Sequence, residues 1–220
     1  MRKLPAAALL AALGLVTCVA HAGASLLVDD AGTTADGHCQ LESWLRARPG
    51  ALEATAMPAC AWAGLEYSAG ASAYPAGPGG PALYAGVKHT LVEMGERAPG
   101  LAVALGGDWR RRDGGFDAAT ANLSTSLPLG PRLTLQANLG WRAPHAARGR
   151  PTGGVGMEYR PDARWSWLAE AYAEGGGYRA VQGGLRLHLP DAVSVDVLAG
   201  RDRDGRWLTL GFNWSPGDDG

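Results

Sequence analysis

The sequence predicts an all-β fold, an antiparallel transmembrane β-barrel of about 12 strands. Past residue 80 the chain divides into short segments with apolar residues at every second position. This period of two places one set of side chains on each face of a sheet. The other face carries Gly, Ala, Asn, Gln and single charges, which is typical of a barrel lumen. The 33 glycines of the chain also favour an extended β protein over a helical one.

The start of the chain has the layout of a cleavable signal peptide. A basic start at Arg2 and Lys3 precedes an apolar run from Leu4 to Ala20, and Ala20–Ala22 matches the small-x-small cleavage pattern. The stretch Leu15–Cys18 resembles a lipoprotein cleavage site, but Thr17, just before the cysteine, fits that pattern poorly. We therefore expect residues 1–22 to be removed on export.

The remaining chain is expected to form one domain, with a barrel over residues 23–214 and a short C-terminal tail over 215–220. A net charge of -1 and a pI near 6.5 argue against nucleic acid as a partner. Neither a metal-ligand cluster nor a phosphate-binding loop is evident, so we expect no metal and no cofactor.

Counting the alternating segments gives about eleven strands, whereas bacterial single-chain barrels normally have an even number. The predicted segments are 38–46, 62–71, 82–93, 100–110, 117–127, 132–142, 152–160, 164–174, 178–189, 193–201 and 206–214. Leu26–Asp30 would supply the twelfth strand and bring both termini to the periplasmic side. Ten strands would result if one N-terminal segment lay outside the wall.

The last predicted strand looks like a recognition signal for the barrel-assembly machinery. Every second residue of this strand is apolar and the last of them is aromatic: Leu208, Leu210, Phe212 and Trp214. In lipid the first and last strands must pair, since every backbone polar group needs an internal partner. Residues 215–220 depart from the usual pattern, in which the aromatic residue ends the chain.

Connections and aromatic residues favour the outer membrane of a Gram-negative bacterium. Tight, proline-bearing turns at 96–100, 127–131, 161–164 and 190–192 alternate with longer segments at 110–117, 143–153 and 201–206. Periplasmic turns and longer external loops follow this pattern in outer-membrane barrels. Aromatic residues near segment ends suggest interfacial girdles in contact with lipid: Trp141, Tyr159, Trp165, Trp207 and Trp214. Alternation alone leaves open a soluble, lipocalin-like periplasmic barrel.

Several short stretches resemble a proteobacterial family of outer-membrane proteins linked to the phenol meta-degradation pathway. These stretches are Asp29–Thr33, Gly37–Glu42, Asn138–Trp141, Gly156–Tyr159 and Leu168–Tyr172. The resemblance extends over residues 28–214. It implies a barrel fold and a role in uptake of small organic molecules, and it supplies no catalytic residues.

Charged side chains on the predicted lumen face are candidate functional residues. Lys88 shares the parity of Tyr84 and Gly86, and should therefore face the lumen. Other lumen charges are expected at Glu66, Glu158, Glu170, Arg186 and Asp196. Such charges form either a constriction that selects solutes or an ion-paired plug that holds the interior together. For a barrel this narrow, the structural plug is the favoured interpretation.

Cys39 and Cys60 are the cysteines that remain after signal cleavage, and an even pair in an oxidising compartment predicts a disulfide. In a hairpin turning near residue 53, however, Cys39 would lie opposite about residue 67. The Cα separation would then exceed the ~6 Å of a disulfide. Residues 46–61 must fold back, or the first strand must be irregular, or the pair stays reduced. We expect the bond, which would stabilise by about 3 kcal/mol in the chain-entropy model.

The sequence gives little support for an enzyme. His89 has lipid-facing parity, His145 falls in a loop, and no serine has the context of a nucleophile. Passage or uptake of small organic molecules is the leading hypothesis. A structural or adhesive barrel using the charged loops 110–113 and 201–204 is the alternative, and a lipid-modifying enzyme is the least favoured.

Overall fold

The computed structural model describes residues 25–76, 80–110 and 115–216. The predicted signal peptide and the end of the predicted tail, residues 217–220, lie outside this part of the chain. Twelve strands follow one another in chain order: β1 Cys39–Arg48, β2 Ala51–Trp62, β3 Leu65–Ala76, β4 Ala82–Val92, β5 Gly100–Arg110, β6 Gly115–Pro128, β7 Leu133–Pro144, β8 Arg150–Tyr159, β9 Trp165–Glu174, β10 Tyr178–Leu189, β11 Val193–Asp202 and β12 Gly205–Trp214. Among the described residues, no helix is long and apolar enough to cross a membrane.

The strands form one closed antiparallel barrel in which each strand pairs with its neighbours in sequence. Closure occurs between β1 and β12, in a register that places Leu41 opposite Trp214 and Ala47 opposite Leu208. A closed sheet has no unpaired edge, so all wall strands can satisfy their backbone groups without water. The predicted all-β barrel of 12 strands is confirmed.

The outer surface of the barrel is apolar and the inner surface is polar. In β12, Leu208 and Leu210 are 63% and 52% exposed, whereas Trp207 and Thr209 on the other face are 3% and 2% exposed. Aromatic residues on the outer surface collect towards both ends of the strands: Trp62, Tyr67, Trp165, Trp167 and Trp214 at one end, and Trp109, Phe116 and Trp141 at the other. The prediction that Trp207 belongs to a girdle was wrong. Its indole points inward, and the ring centroid lies 4.5 Å from the guanidinium carbon of Arg48.

The strand that the sequence did not predict is β2, and the predicted strand at Leu26–Asp30 does not exist. β2 is rich in alanine and contains Pro58, so its alternation is weak. Pro58 is exposed on the outer face, in register with Leu41. With β2 the barrel has its twelve strands. Leu26–Asp30 is therefore not a strand of the wall, and it lies in the lumen.

The two ends of the barrel carry connections of similar length. We name the end where β1 begins and β12 finishes the terminal end, and the opposite end the far end. Turns at the terminal end fall at 63–64, 93–99, 129–132, 160–164 and 190–192. Connections at the far end are 49–50, 77–81, 111–114, 145–149, 175–177 and 203–204. The expectation of longer loops at one end was therefore wrong, because the strands extend into the glycine-rich and charged segments.

Cys39 and Cys60 form a disulfide, with 4.0 Å between their Cα atoms and a sequence separation of 21. The hairpin turns at 49–50, where Gly50 adopts a φ of 73°. This places Cys39 directly opposite Cys60, whereas the assumed turn near residue 53 was wrong. The geometric difficulty disappears because β2, absent from the prediction, is the strand that pairs with β1.

Replacing both Cys39 and Cys60 with alanine is expected to destabilise the barrel by about 3 kcal/mol, the loop-closure entropy that the bond removes from the unfolded chain. The midpoint of thermal loss of the folded, fast-migrating gel band measures this. C39A alone is the matched control and should match the double variant, because either change abolishes the bond. A double variant that melts with the wild type would contradict the prediction.

Candidate functional site

Residues 25–34, which we name the lumen segment, cross the interior of the barrel. The segment enters at the terminal end, where Thr34 lies beside Glu66 of β3, and reaches Ser25 beside Asp196 of β11. Four of its residues are 1–2% exposed: Ser25, Val28, Asp30 and Ala31. The segment is therefore enclosed by the wall rather than lying across an opening.

Polar side chains of the wall bind the backbone in the middle of the lumen segment. Both carboxylate oxygens of Glu170 accept hydrogen bonds, one from the N–H of Leu27 and one from that of Val28, each at 3.0 Å. The Asn138 amide bonds Asp29 twice, accepting from its N–H at 2.7 Å and donating to its carbonyl at 2.7 Å. The paired Asn138 bonds replace those that a neighbouring strand would provide.

The same arrangement continues towards the terminal end. Ser126 Oγ accepts from the N–H of Ala31 at 2.9 Å, and Thr90 Oγ1 donates to the carbonyl of Ala31 at 3.0 Å. The Glu66 carboxylate accepts from the N–H of Thr34 at 2.7 Å. Buried backbone groups need such partners, so the polar character of these wall positions matches the peptide they enclose.

Lys88 fastens the two acidic side chains of the lumen segment. Its Nζ lies 2.8 Å from Asp29 Oδ1 and 3.1 Å from Asp30 Oδ1, and its side chain is 13% exposed. Desolvation raises the pKa of Asp29, and the Lys88 ammonium acts in the opposite direction. Lys88 therefore neutralises carboxylates of the lumen segment, not carboxylates of the wall strands.

Arg186 and Asp196 form a buried ion pair on neighbouring strands. Arg186 Nε lies 2.6 Å and Nη2 2.8 Å from the Asp196 carboxylate oxygens. Ser25 Oγ donates to Asp196 at 2.7 Å, and Gln182 Nε2 donates to the Ser25 carbonyl at 3.0 Å. The pair thus fixes β10 to β11 and holds the beginning of the lumen segment.

Glu158 belongs to a serine–histidine–carboxylate cluster that lacks the geometry of a catalytic triad. Ser166 Oγ donates to Glu158 at 2.5 Å and contacts His188 Nε2 at 2.8 Å. In a triad the histidine lies between the serine and the acid and removes the serine proton. Here the Ser166 hydroxyl donates its hydrogen bond to Glu158 instead, and Ser166 is 0% exposed, so a substrate has no access to its oxygen.

Glycines on the wall make room for the lumen segment. A Cβ atom built at Gly154 would lie 2.8 Å from Val28 Cγ2, and one at Gly211 would lie 2.8 Å from Ser25 Oγ. Both distances are shorter than a real Cβ tolerates. The shape of the wall, as well as its polarity, therefore fits the segment.

A cavity of about 750 Å³ lies inside the barrel next to the lumen segment. Leu26, Leu27 and Asp29 of the segment form part of its lining. Its other lining residues include three tyrosines, Tyr84, Tyr172 and Tyr178, and the charged residues Glu42, Glu66, Lys88, Asp108, Arg110, Arg142 and Glu174. Within the described ranges, no group of three or more His, Cys, Asp or Glu is arranged to hold a metal ion.

The sequence matches the family described as Uncharacterised conserved protein UCP029691 over residues 10–215. The chain belongs to that family. No curated protein matches it. The family is uncharacterised, so the resemblance to the phenol meta-degradation family stays a prediction.

Solved porins share the fold at low sequence identity. A KdgM porin in complex with disordered oligogalacturonate superposes with a TM-score of 0.66 at 9% identity, covering 80% of this chain and 98% of that one. A second KdgM porin structure gives 0.63 at 10% identity, and a NanC porin gives 0.61 at 9%, with the same coverage. At these identities the likeness shows a shared outer-membrane porin fold.

The structure brings five of the six predicted lumen charges to the lumen segment. Lys88, Glu66, Glu170 and Asp196 contact it directly, and Arg186 acts through Asp196. Glu158 stands apart, in the cluster with Ser166. Sequence reasoning missed Asn138, Ser126 and Glu42. The available signal was the polar character of these positions on the lumen face; nothing in the sequence indicated which residues they would meet.

Proposed function

We propose that the protein is an outer-membrane barrel of Gram-negative bacteria that admits small organic molecules to its lumen. The observation that carries the proposal is a cavity of about 750 Å³, lined by tyrosines and charges, inside a closed barrel with an apolar outer face. That volume is in the range of small-molecule sites. Outer-membrane lipid contacts the outer face, and β12 presents the strand that the assembly machinery reads.

The charge of the cavity favours cationic and neutral solutes over anionic ones. The lining has more carboxylates than cations: Asp29, Asp30, Glu42, Glu66, Asp108 and Glu174 against Lys88, Arg110 and Arg142. An excess of one sign of charge in a cleft concentrates the opposite ion. Glu42 of β1 is part of this lining.

This preference separates the protein from the KdgM porin that was solved with oligogalacturonate. Oligogalacturonate is a polyanion, and a lining with an excess of carboxylates repels such a chain. The three tyrosines offer faces on which an organic ring can stack. The finer hypothesis of uptake of small organic molecules, which the phenol-pathway resemblance suggested, therefore stays within this proposal.

The alternatives receive less support. Of the two charged loops expected to serve adhesion, 201–204 is reduced to a two-residue connection at 203–204, and residues 111–113 of the other lie outside the described part of the chain. The Ser166 cluster offers no exposed nucleophile for lipid chemistry. We therefore treat the protein as a non-enzymatic barrel, in agreement with the porin fold.

Replacing Glu42 with glutamine is expected to weaken cation selectivity. Purified protein in a planar bilayer under a KCl gradient should show a reversal potential of the sign that indicates cation preference. Recorded at about pH 9, where the Glu42 carboxyl is ionised, E42Q should move this potential towards zero, because it removes a lumen charge without changing side-chain size. Ser68→Ala, a neutral change in the same lining, is the matched control. Anion preference would count against the proposed function.

A further inference from the structure

We propose that the inner wall of the barrel is a binding track for an acidic peptide segment and that the lumen segment is its resident ligand, acting as a removable plug. The proposal rests on the function proposed above, because a plug matters only where solutes pass. It assigns a role to Glu170, Asn138 and Lys88 that does not require contact with a solute.

The wall recognises the peptide mainly through its backbone. Glu170 binds two successive N–H groups, Asn138 binds an N–H and a carbonyl of one residue, and Thr90 and Ser126 do the same for Ala31. In peptide recognition, main-chain hydrogen bonds supply affinity without requiring particular side chains. Lys88 adds selectivity for the acidic pair Asp29–Asp30.

The contacts are of a kind that water can replace. Apart from Val28 and Ala31, the buried contacts of the segment are hydrogen bonds and ion pairs to side chains, and every β-ladder of the barrel joins wall strands to one another. When the segment leaves, lumen water can solvate the freed carboxylates and amides. A strand of the wall could not leave in this way, since its ladder bonds would be lost on both sides.

The segment is tethered at its base, where residues 35–38 are bound to the terminal end. Gly37 N–H donates to the Ala61 carbonyl at 2.9 Å, and Ala61 N–H donates to the His38 carbonyl at 3.0 Å. The disulfide of Cys39 with Cys60 follows immediately. Gly37 has a φ of 80°, which allows the chain to turn within this tether. Motion of the plug would therefore pivot on a fixed base.

Two variants with opposite effects test the proposal. Deleting residues 25–34 should raise bilayer conductance several-fold over wild type. A Val28→Cys/Gly156→Cys pair should lock the segment in place, because a Cβ at Gly156 would lie 3.5 Å from Val28 Cβ, within disulfide range. In a C39A/C60A background, the oxidised lock should conduct less than its parent, and reduction should restore the parent value. Gly156→Cys alone is the matched control.

Rebinding in trans tests the track itself. A synthetic peptide of residues 25–34 added to the deletion variant should lower its conductance again. The same peptide carrying Asp29→Asn and Asp30→Asn should do so less, since it loses the contact with Lys88. Heat-modifiable gel mobility checks that each variant is a folded barrel.

The outcomes separate the two proposals. If wild type, deletion and lock conduct equally, the plug is refuted and the channel function stands. If none conducts, although each is folded, the channel function fails and the plug fails with it. If the deletion conducts more but the peptide has no effect, the binding track is wrong.

Discussion

Replacing Asp196 with alanine is expected to lower the free energy of unfolding by about 3–5 kcal/mol, the cost of breaking a buried ion pair from one side. Asp196 is 0% exposed and receives two hydrogen bonds from Arg186, at 2.6 and 2.8 Å. Its carboxylate also accepts from Ser25 and Asn213, at 2.7 and 3.3 Å. Alanine removes this carboxylate from the Arg186 guanidinium, whose residue is only 3% exposed.

A paired substitution separates the effect of charge from that of packing. Arg186→Met/Asp196→Leu removes both charges and should lose clearly less stability than D196A, because no unbalanced charge remains. Wild type serves as the baseline. Urea titration of the folded, heat-modifiable band in detergent gives the three values. A double variant that is no more stable than D196A would show that packing, rather than charge balance, dominates at this site.

The charges of the lumen divide into two proposed roles. Arg186 and Asp196 neutralise each other at hydrogen-bond distance, and Lys88 is held by Asp29 and Asp30. These groups match the ion-paired plug that the sequence suggested. The difference is that this plug also contains a stretch of main chain, the lumen segment. Glu42, in the lining of the cavity, belongs to the selective interpretation. The two interpretations of the lumen charges therefore apply to different residues of one interior.

The wall was predictable because its physical signal is local. Lipid outside and water or side chains inside impose a period of two, which β7 and β12 display without interruption. The signal failed at β2, where alanines stand on both faces and Pro58 interrupts the pattern. An alanine is tolerated on either face, so periodicity carries little information there. The wrong turn near residue 53 and the difficulty with Cys39 followed from that single omission.

The lumen segment could not be predicted in the same way, because the interactions that hold it are non-local. Leu27 and Val28 bind a carboxylate more than 140 positions away, and Asp29 binds an amide 109 positions away. No sequence period reports such contacts. Leu26–Val28 followed by Asp29–Asp30 resembles the start of a strand in composition, and the odd count of segments invited that assignment. An odd number of strands should instead have prompted a search for a weak strand.

Replacing Leu139 with arginine is expected to destabilise the barrel by about 2–4 kcal/mol in a bilayer, the cost of a cation on the lipid face near the midplane. Leu139 lies in the middle of β7, is 68% exposed on the outer face and is flanked by Leu123 and Gly153. In lipid the guanidinium would lose its hydration there. On a soluble barrel the same exposed position would face water, and arginine would be close to neutral.

Two controls make the prediction specific to membrane depth. Leu139→Ala removes the apolar side chain without adding charge, so the difference between L139R and L139A reports the cation alone. Leu129→Arg places the cation in the β6–β7 turn, at a residue that is 51% exposed. Near the interface the cost should fall to about 0–1 kcal/mol. Unfolding of the three variants in liposomes gives the comparison. Equal stabilities for L139R and L129R would mean that the apolar outer face does not meet a bilayer. In that case another apolar partner would have to shield this face from water, since Leu105, Val155 and Val197 are each more than half exposed on it.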